Sequence, residues 1–199
     1  MADSQQPGPV FQPPRIETPR LVIRAITWDD LPDIWEYASD AEVARYTIFD
    51  RHTSEEQTRE FVRQTLEKYG RGEPAALAIA LRSEGRLVGA CGFRNWDRAA
   101  ARIEIGYAIQ RRHWGKGIAT EAVRAVLGFA FEQMGLNRVE AHCIVDHVAS
   151  RRVLEKAGMR REGILRQHES FKGAFQDLAL YSILRQEFLP TAGAGSVSG

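Results

Sequence analysis

Cysteine is scarce in this chain: Cys91 and Cys143 are the only two in 199 residues. Two such thiols make no disulfide framework, and their spacing matches no zinc pattern, so no metal site is expected. Long apolar runs are missing too, and nothing approaches the roughly 20 residues that a helix needs to cross a bilayer. Charge of one sign is not in excess. Lys and Arg number 27 against 26 Asp and Glu, a formal net charge of +1. A polyanionic partner therefore has no electrostatic support, and no nucleic-acid or membrane partner is expected. No internal repeat is visible and no secretory leader opens the sequence, so the expected compartment is the cytoplasm, where thiols stay reduced.

A hydrophobic share of 44% with 27% charged residues is that of a globular chain long enough to bury a core. Residues 1–14, rich in Pro, Gln and Gly, read as a disordered or loosely docked tail, and 190–199 as a small-residue tail. Between them, 15–189 reads as one domain. Ile16 to Ile26 alternates as a first strand, and a helix follows from Asp29 or Asp30 through Ala38, burying Leu31, Ile34, Trp35 and Ala38. Thr53-x-x-Glu56 or Ser54-x-x-Gln57 caps a second helix that Gly70 ends. Strands are expected at 75–81 and 87–93, the second with Gly89 and Gly92 marking a bulge or close backbone approach, before a turn at 95–99. A strand at 138–145, a short helix at 149–157 and two strands around a Lys172-Gly173 turn complete the pattern. Strands, helices and one central crossover helix make a mixed α/β arrangement.

The stretch that organises the rest begins at Arg102. Ile103, Ile105, Tyr107 and Ile109 alternate along a strand. A polar turn, Gln110 to Gly117, leads into an amphipathic helix in which Ile118, Ala122, Val126, Phe129, Ala130 and Met134 share a face, while Glu121, Arg124 and Glu132 point away. Gly135 supplies a left-handed stop. A glycine-bearing turn at a helix N-terminus holds anions, because the first N–H groups have no helical partner and the dipole adds positive potential. Gly115 and Gly117 leave room for a phosphate, and Arg111, Arg112 and Lys116 add charge. The turn lacks the Gly-Lys-Ser/Thr of a P-loop, and Thr120 stands where a dinucleotide fingerprint has its third glycine.

The string Arg112-x-x-Gly115-x-Gly117 followed by IATEA resembles the acyl-CoA pyrophosphate loop of the GNAT N-acetyltransferases. WGKGIATEA is similar to the RimJ/RimL-like branch, which contains ribosomal-protein-alanine N-acetyltransferases. The resemblance continues through RVEAHCIVDHVASRRVLEKAGMRREGILR and begins at ETPRLVIRAITWDDLPDIW. It implies a GNAT fold: a mostly antiparallel sheet with helices on both faces, whose fourth and fifth strands (about 102–109 and 138–145) splay apart around the pantetheine arm. The implied reaction is transfer of an acetyl group from acetyl-CoA to a primary amine by direct attack in a ternary complex. A peptide or protein N-terminal α-amine leads as acceptor, with a small-molecule amine (antibiotic, polyamine or amino acid) as the alternative. A non-catalytic acyl-CoA-binding module is a third reading, and the chain is expected as a monomer or homodimer.

Such chemistry needs a proton acceptor for the amine, a fixed donor for the oxyanion and a proton for the departing thiolate. The resemblance places the oxyanion donor on the backbone at Ile109 beside Ala108. It gives the phosphates to Arg112, His113, Gly115, Lys116, Gly117, Ile118, Ala119 and Thr120. Three residues stand as candidate bases: Glu104 on the central strand, Glu169 in QHESFKGAF, and His142, a side chain suited to titration near neutrality. Leu154 occupies the position where one branch has a tyrosine acid. Ser150, one turn earlier, offers a hydroxyl to the CoA sulfur or a helix cap. His147 replaces the asparagine that contacts pantetheine in relatives. Cys143, the tryptophans and their neighbours read as packing, with Trp114 beside the cofactor entry.

Overall fold

A computed structural model describes residues 10–188; most of both expected tails lies outside them. The strands are β1 (Ile16–Glu17), β2 (Leu21–Arg24), β3 (Ala76–Leu81), β4 (Leu87–Asp97), β5 (Arg102–Ile109), β6 (Arg138–Ile144), β7 (Arg160–Phe171) and β8 (Ala174–Leu184). The helices are α1 (Leu31–Ala38), α2 (Ala41–Ala44), α3 (Glu55–Gly70), α4 (Ile118–Glu132) and α5 (Val148–Lys156). All eight strands form one sheet in the order β1-β2-β3-β4-β5-β6-β8-β7. Neighbours are antiparallel except β5 and β6, whose pairing is parallel because α4 carries the chain between them.

Alternation along the strands divides the apolar residues between the two faces of the sheet. Leu77, Ile79, Cys91, Phe93, Ile103 and Ile105 face α4, which buries Val123, Val126, Leu127 and Phe131 against them. Each fully buried side chain of this size stabilises the fold by about 1.5–3 kcal/mol. On the other face Ala78, Leu87 and Ala90 meet Ile34, Tyr37 and Ala38 of α1 and Val62 of α3. Ser54 and Gln57 form the capping box that starts α3.

Several local expectations are corrected. The first strand is broken into β1 and β2, because Pro19 cannot donate and Thr18 N–H turns back to the Leu21 carbonyl at 2.9 Å. In α1, Tyr37 and Asp33 are buried with Ile34 and Ala38, while Leu31 and Trp35 are only half-buried. Asp33 is held by Arg86 and by the Leu87 N–H at 3.1 Å. Helix α3 runs through Gly70 and is turned instead by Gly72, at φ +66°. β4 continues to Asp97, because Asn95 adopts φ +53° and absorbs a bulge, which moves the turn past 97. Phe11, within the expected tail, is 3% exposed and packs edge-on against Phe93 and Phe129. Lys172-Gly173 does form the β7–β8 turn, both residues having positive φ as a two-residue hairpin requires.

Candidate active site

The site is a gap in the sheet. β5 and β6 share register only at Arg102–Arg138, Ile103–Val139 and Glu104–Glu140. Past that point β5 follows β4 to Ile109 and β6 follows β8 to Ile144. The edge of residues 105–109 that faces β6 has no strand partner, so its backbone polar groups are available to a ligand. Gly89 lets β4 hug this segment; a Cβ there would sit 2.3 Å from the Ala108 carbonyl oxygen. A cavity of about 300 Å³ fills the gap and extends under α1, α3 and the loop after α2.

At one end of the gap stands the loop before α4. Gly117 caps the helix at φ +77° and Gly115 adopts φ +73°, with no atom within 4 Å of where a Cβ at Gly115 would lie. The first helical bond runs from Glu121 N–H to the Gly117 carbonyl at 3.1 Å. The N–H groups of Ile118, Ala119 and Thr120 precede it and take no helical partner. These features fit a bound diphosphate.

The charges around this loop differ from expectation. Glu121, expected to point away, is partly buried and accepts from Thr18 Oγ1 at 2.6 Å and Arg20 Nε at 2.6 Å. Burial raises its pKa, but those bonds outweigh burial and hold it below the ordinary value. Arg20 also donates from Nη1 to the Lys116 carbonyl at 2.8 Å, so it braces the loop from the bend between β1 and β2, about a hundred residues away. Arg111 and Arg112 turn outward to Asp40 and Glu36, at 2.9 and 2.7 Å. His113 accepts from Arg112 Nε at 3.1 Å. Of the three loop cations, Lys116 carries no ion pair among the described residues. Trp114 donates from Nε1 to the Ile109 carbonyl at 2.7 Å, fixing the end of β5.

Deeper in the gap the three candidate bases are brought together. Glu104, 3% exposed, accepts from His142 Nδ1 at 2.9 Å, from Asn95 Nδ2 at 2.9 Å and from Arg94. Burial raises the Glu104 pKa, yet the bonds from His142 and Arg94 prevail and the carboxylate is favoured. A carboxylate only accepts, so Nδ1 of His142 carries a proton and Nε2 is the nitrogen left facing away from Glu104. Glu169 contacts the same arrangement through Arg94 at 3.4 Å, and the His168 ring lies 5.6 Å from that of His142. Arg94 and Asn95 carry no motif; Arg94 stands directly across from Glu104 in the β4–β5 register, and the bulge at Asn95 brings the next side chain to the same carboxylate.

Further along the cavity Ser150 meets Tyr107. The helix cap of α5 is His147, so Ser150 stands inside the first turn with its Oγ 2.9 Å from the Tyr107 hydroxyl. Tyr107 was legible in the sequence only as one of four apolar strand positions. Burial raises its pKa well above that of an ordinary phenol, keeping it a neutral hydroxyl. Leu154 is 1% exposed and lines the same wall. His147 stacks face to face on Tyr46, centroids 4.3 Å apart, and burial lowers its pKa. Burial raises Cys143 to about 11 and Cys91 to about 12, so neither thiol is a nucleophile at neutral pH.

A family model described as an acetyltransferase (GNAT) domain matches residues 20–160. The chain belongs to the GNAT acetyltransferase family. It is an acyltransferase with the mixed α/β fold of that family. The chain is similar to p20, an uncharacterized N-acetyltransferase of Bacillus licheniformis, at 32% identity over 86% of this chain and 96% of that one. A ribosomal-protein-serine acetyltransferase of Escherichia coli is 31% identical over 65% of this chain and 71% of its own length. The crystal structure of a GNAT-family acetyltransferase from Bacillus anthracis superposes with a TM-score of 0.78 at 33% identity, covering 87% of this chain and 99% of that one. Among the described residues, no helix is long and apolar enough to cross a membrane and no cluster of side chains is suited to a metal ion.

Proposed function

We propose that this GNAT acyltransferase moves an acetyl group from acetyl-CoA to a primary amine, with His142 as the base and Ser150 as the proton donor. Acetyl-CoA supplies the activated thioester. The first-turn N–H groups of Ile118, Ala119 and Thr120, with the Gly115–Gly117 backbone and Lys116, hold its diphosphate. Arg112 and His113 shape that loop from outside. The gap-facing backbone at Ala108 and Ile109 orients the acyl end, and His147 borders the arm.

His142 accepts the ammonium proton at Nε2. Glu104 holds the ring in the required tautomer and stabilises the imidazolium that forms, while Arg94 and Asn95 fix Glu104. Glu104 is thereby a positioning residue, and Glu169 acts through Arg94. Ser150, its hydroxyl steadied by Tyr107, gives its proton to the departing sulfur and takes up in its place the second proton shed by the amine nitrogen after attack. The observation that carries this reading is that one cavity is lined by both pairs, His142–Glu104 and Ser150–Tyr107. A peptide or protein α-amine and a small-molecule amine reach the same base by this route.

The test is thiol release from acetyl-CoA against a panel of amines. Release that depends on the amine and is lost in His142→Ala supports transfer. Acetyl-CoA that raises Tm without release on any amine overturns it in favour of a binding module.

A further inference from the structure

The acceptor end of the cavity is apolar and electrically silent. Tyr37, Tyr46, Phe49 and Phe61 supply aromatic surface from α1, the loop after α2 and α3. Only Arg94 and Glu104 among the lining residues carry full charge, and they pair with each other. Burial also lowers His52 and His147 and raises Tyr37, each away from its charged form. The roof is fixed at both ends. Lys172, from the β7–β8 turn, donates to the carbonyls of Ala44 and Thr47, the latter at 3.1 Å, and Tyr46 stacks on His147.

We infer that the acceptor is a small monoamine whose body is apolar and aromatic. This rests on the acetyl transfer proposed above. The amine itself loses its charge to His142, whose partner Glu104 is already present. A second ammonium, as in a polyamine, finds no unpaired carboxylate in the wall, and burying it unpaired is strongly unfavourable. The carboxylate of a free amino acid meets an Arg94 already shared by Glu104 and Glu169. A peptide brings an amide N–H and carbonyl with each residue, where the wall presents ring faces. Size agrees: an apolar cavity of ~150 Å³ accepts a benzene ring, and this one is about 300 Å³ including the acyl end.

The test compares kcat/KM of the native full chain for 2-phenylethylamine, spermidine, phenylalanine and short peptides beginning with Ala or Ser, at saturating acetyl-CoA. Phenylethylamine is expected to lead each of the others by at least ~tenfold, since each tenfold is only 1.4 kcal/mol and an unpaired buried charge costs more. In Phe61→Glu, a carboxylate in the wall is expected to narrow the gap to spermidine; an unchanged gap in a folded variant overturns the charge argument. Native preference for spermidine or a peptide overturns the acceptor class but leaves acetyl transfer standing. No release with any amine overturns both. The native ranking decides even if Phe61→Glu does not fold.

Discussion

Tyr107 and Ser150 share a hydrogen bond of 2.9 Å between β5 and α5, across the gap that separates β5 from β6. The single Tyr107 proton has both the Ser150 Oγ and, at 3.2 Å, the Ser150 carbonyl within reach; given to Oγ, it leaves the serine proton directed into the cavity. A buried phenol with a raised pKa makes a durable neutral partner. Leu154 stands one turn after Ser150 on the helix, so the phenol that meets the serine comes from the strand.

Tyr107→Phe removes only that hydroxyl. It is expected to lower kcat by roughly 10-fold, less than the ~100-fold or more of losing the proton donor itself, with acetyl-CoA affinity little changed. Ser150→Ala should show that larger loss, and the double variant should be no worse than the poorer single, because the two act as one unit. Additive losses in steady-state kinetics would show that the pair is not coupled, and wild-type turnover in Ser150→Ala would make its role structural.

Arg20 is expected to govern cofactor affinity without touching the acceptor. Arg20→Ala frees Glu121 beside the helix N-terminus and releases the Lys116 carbonyl, so an uncompensated carboxylate faces the phosphate site. KM for acetyl-CoA should rise several-fold, with kcat within about twofold, as expected when binding is lost equally from ground and transition states. Glu121→Gln in the same background should restore part of the affinity by removing the repulsion. A fall in kcat alone would refute this role.

Gly117 is tested by two substitutions. Gly117→Ala must hold a side chain at φ +77°, which costs about 1–2 kcal/mol, and it places the methyl 3.3 Å from Arg20 Nη2. Gly117→Glu adds a negative charge at the phosphate site. The alanine variant is expected to weaken acetyl-CoA binding and the glutamate variant to abolish it, both measured by calorimetry. Unchanged binding in Gly117→Glu would remove the loop from the cofactor site.

The spine of the fold was legible because it is local. The alternation from Ile103 to Ile109, the glycines at 115 and 117 and the existence of α4 are read within about thirty residues of chain, and the structure has all three. The buried face of α4 also takes in Val123, Leu127 and Phe131, however, and leaves Phe129 half-buried. Ser54-x-x-Gln57 announced α3 in the same way. What escaped is what the fold assembles from distant segments. Nothing in the Pro19-Arg20 dipeptide reveals that the arginine sits beneath a loop near residue 117. The Asn95 bulge was hidden because an asparagine before a polar stretch signals a turn, and here its left-handed backbone continues the strand instead. Tyr107 kept its expected place on the strand, but the period of a strand says nothing about where a phenol ends. The charges were illegible for a similar reason: that Arg111 and Arg112 pair with Asp40 and Glu36 follows only once α1 and the loop after it are brought beside them.

Glu104 gives a prediction with a definite sign. Its folded pKa is held below the ordinary 4.5 because the bonds from His142 and Arg94 outweigh burial. A depressed carboxylate contributes stability that is full above its unfolded pKa and is lost as pH falls through the folded value. Native protein should therefore lose stability on acidification below about 4.5, and Glu104→Gln should show a shallower acid slope in denaturant melts between neutral pH and the acid limit. The same variant separates positioning from catalysis. Glutamine keeps the size of the side chain but presents an amide that can donate, so His142 is no longer held in one tautomer. kcat should fall while KM for acetyl-CoA stays put. A Glu104→Gln enzyme whose kcat matches the native protein would leave the carboxylate a purely structural anchor for Arg94.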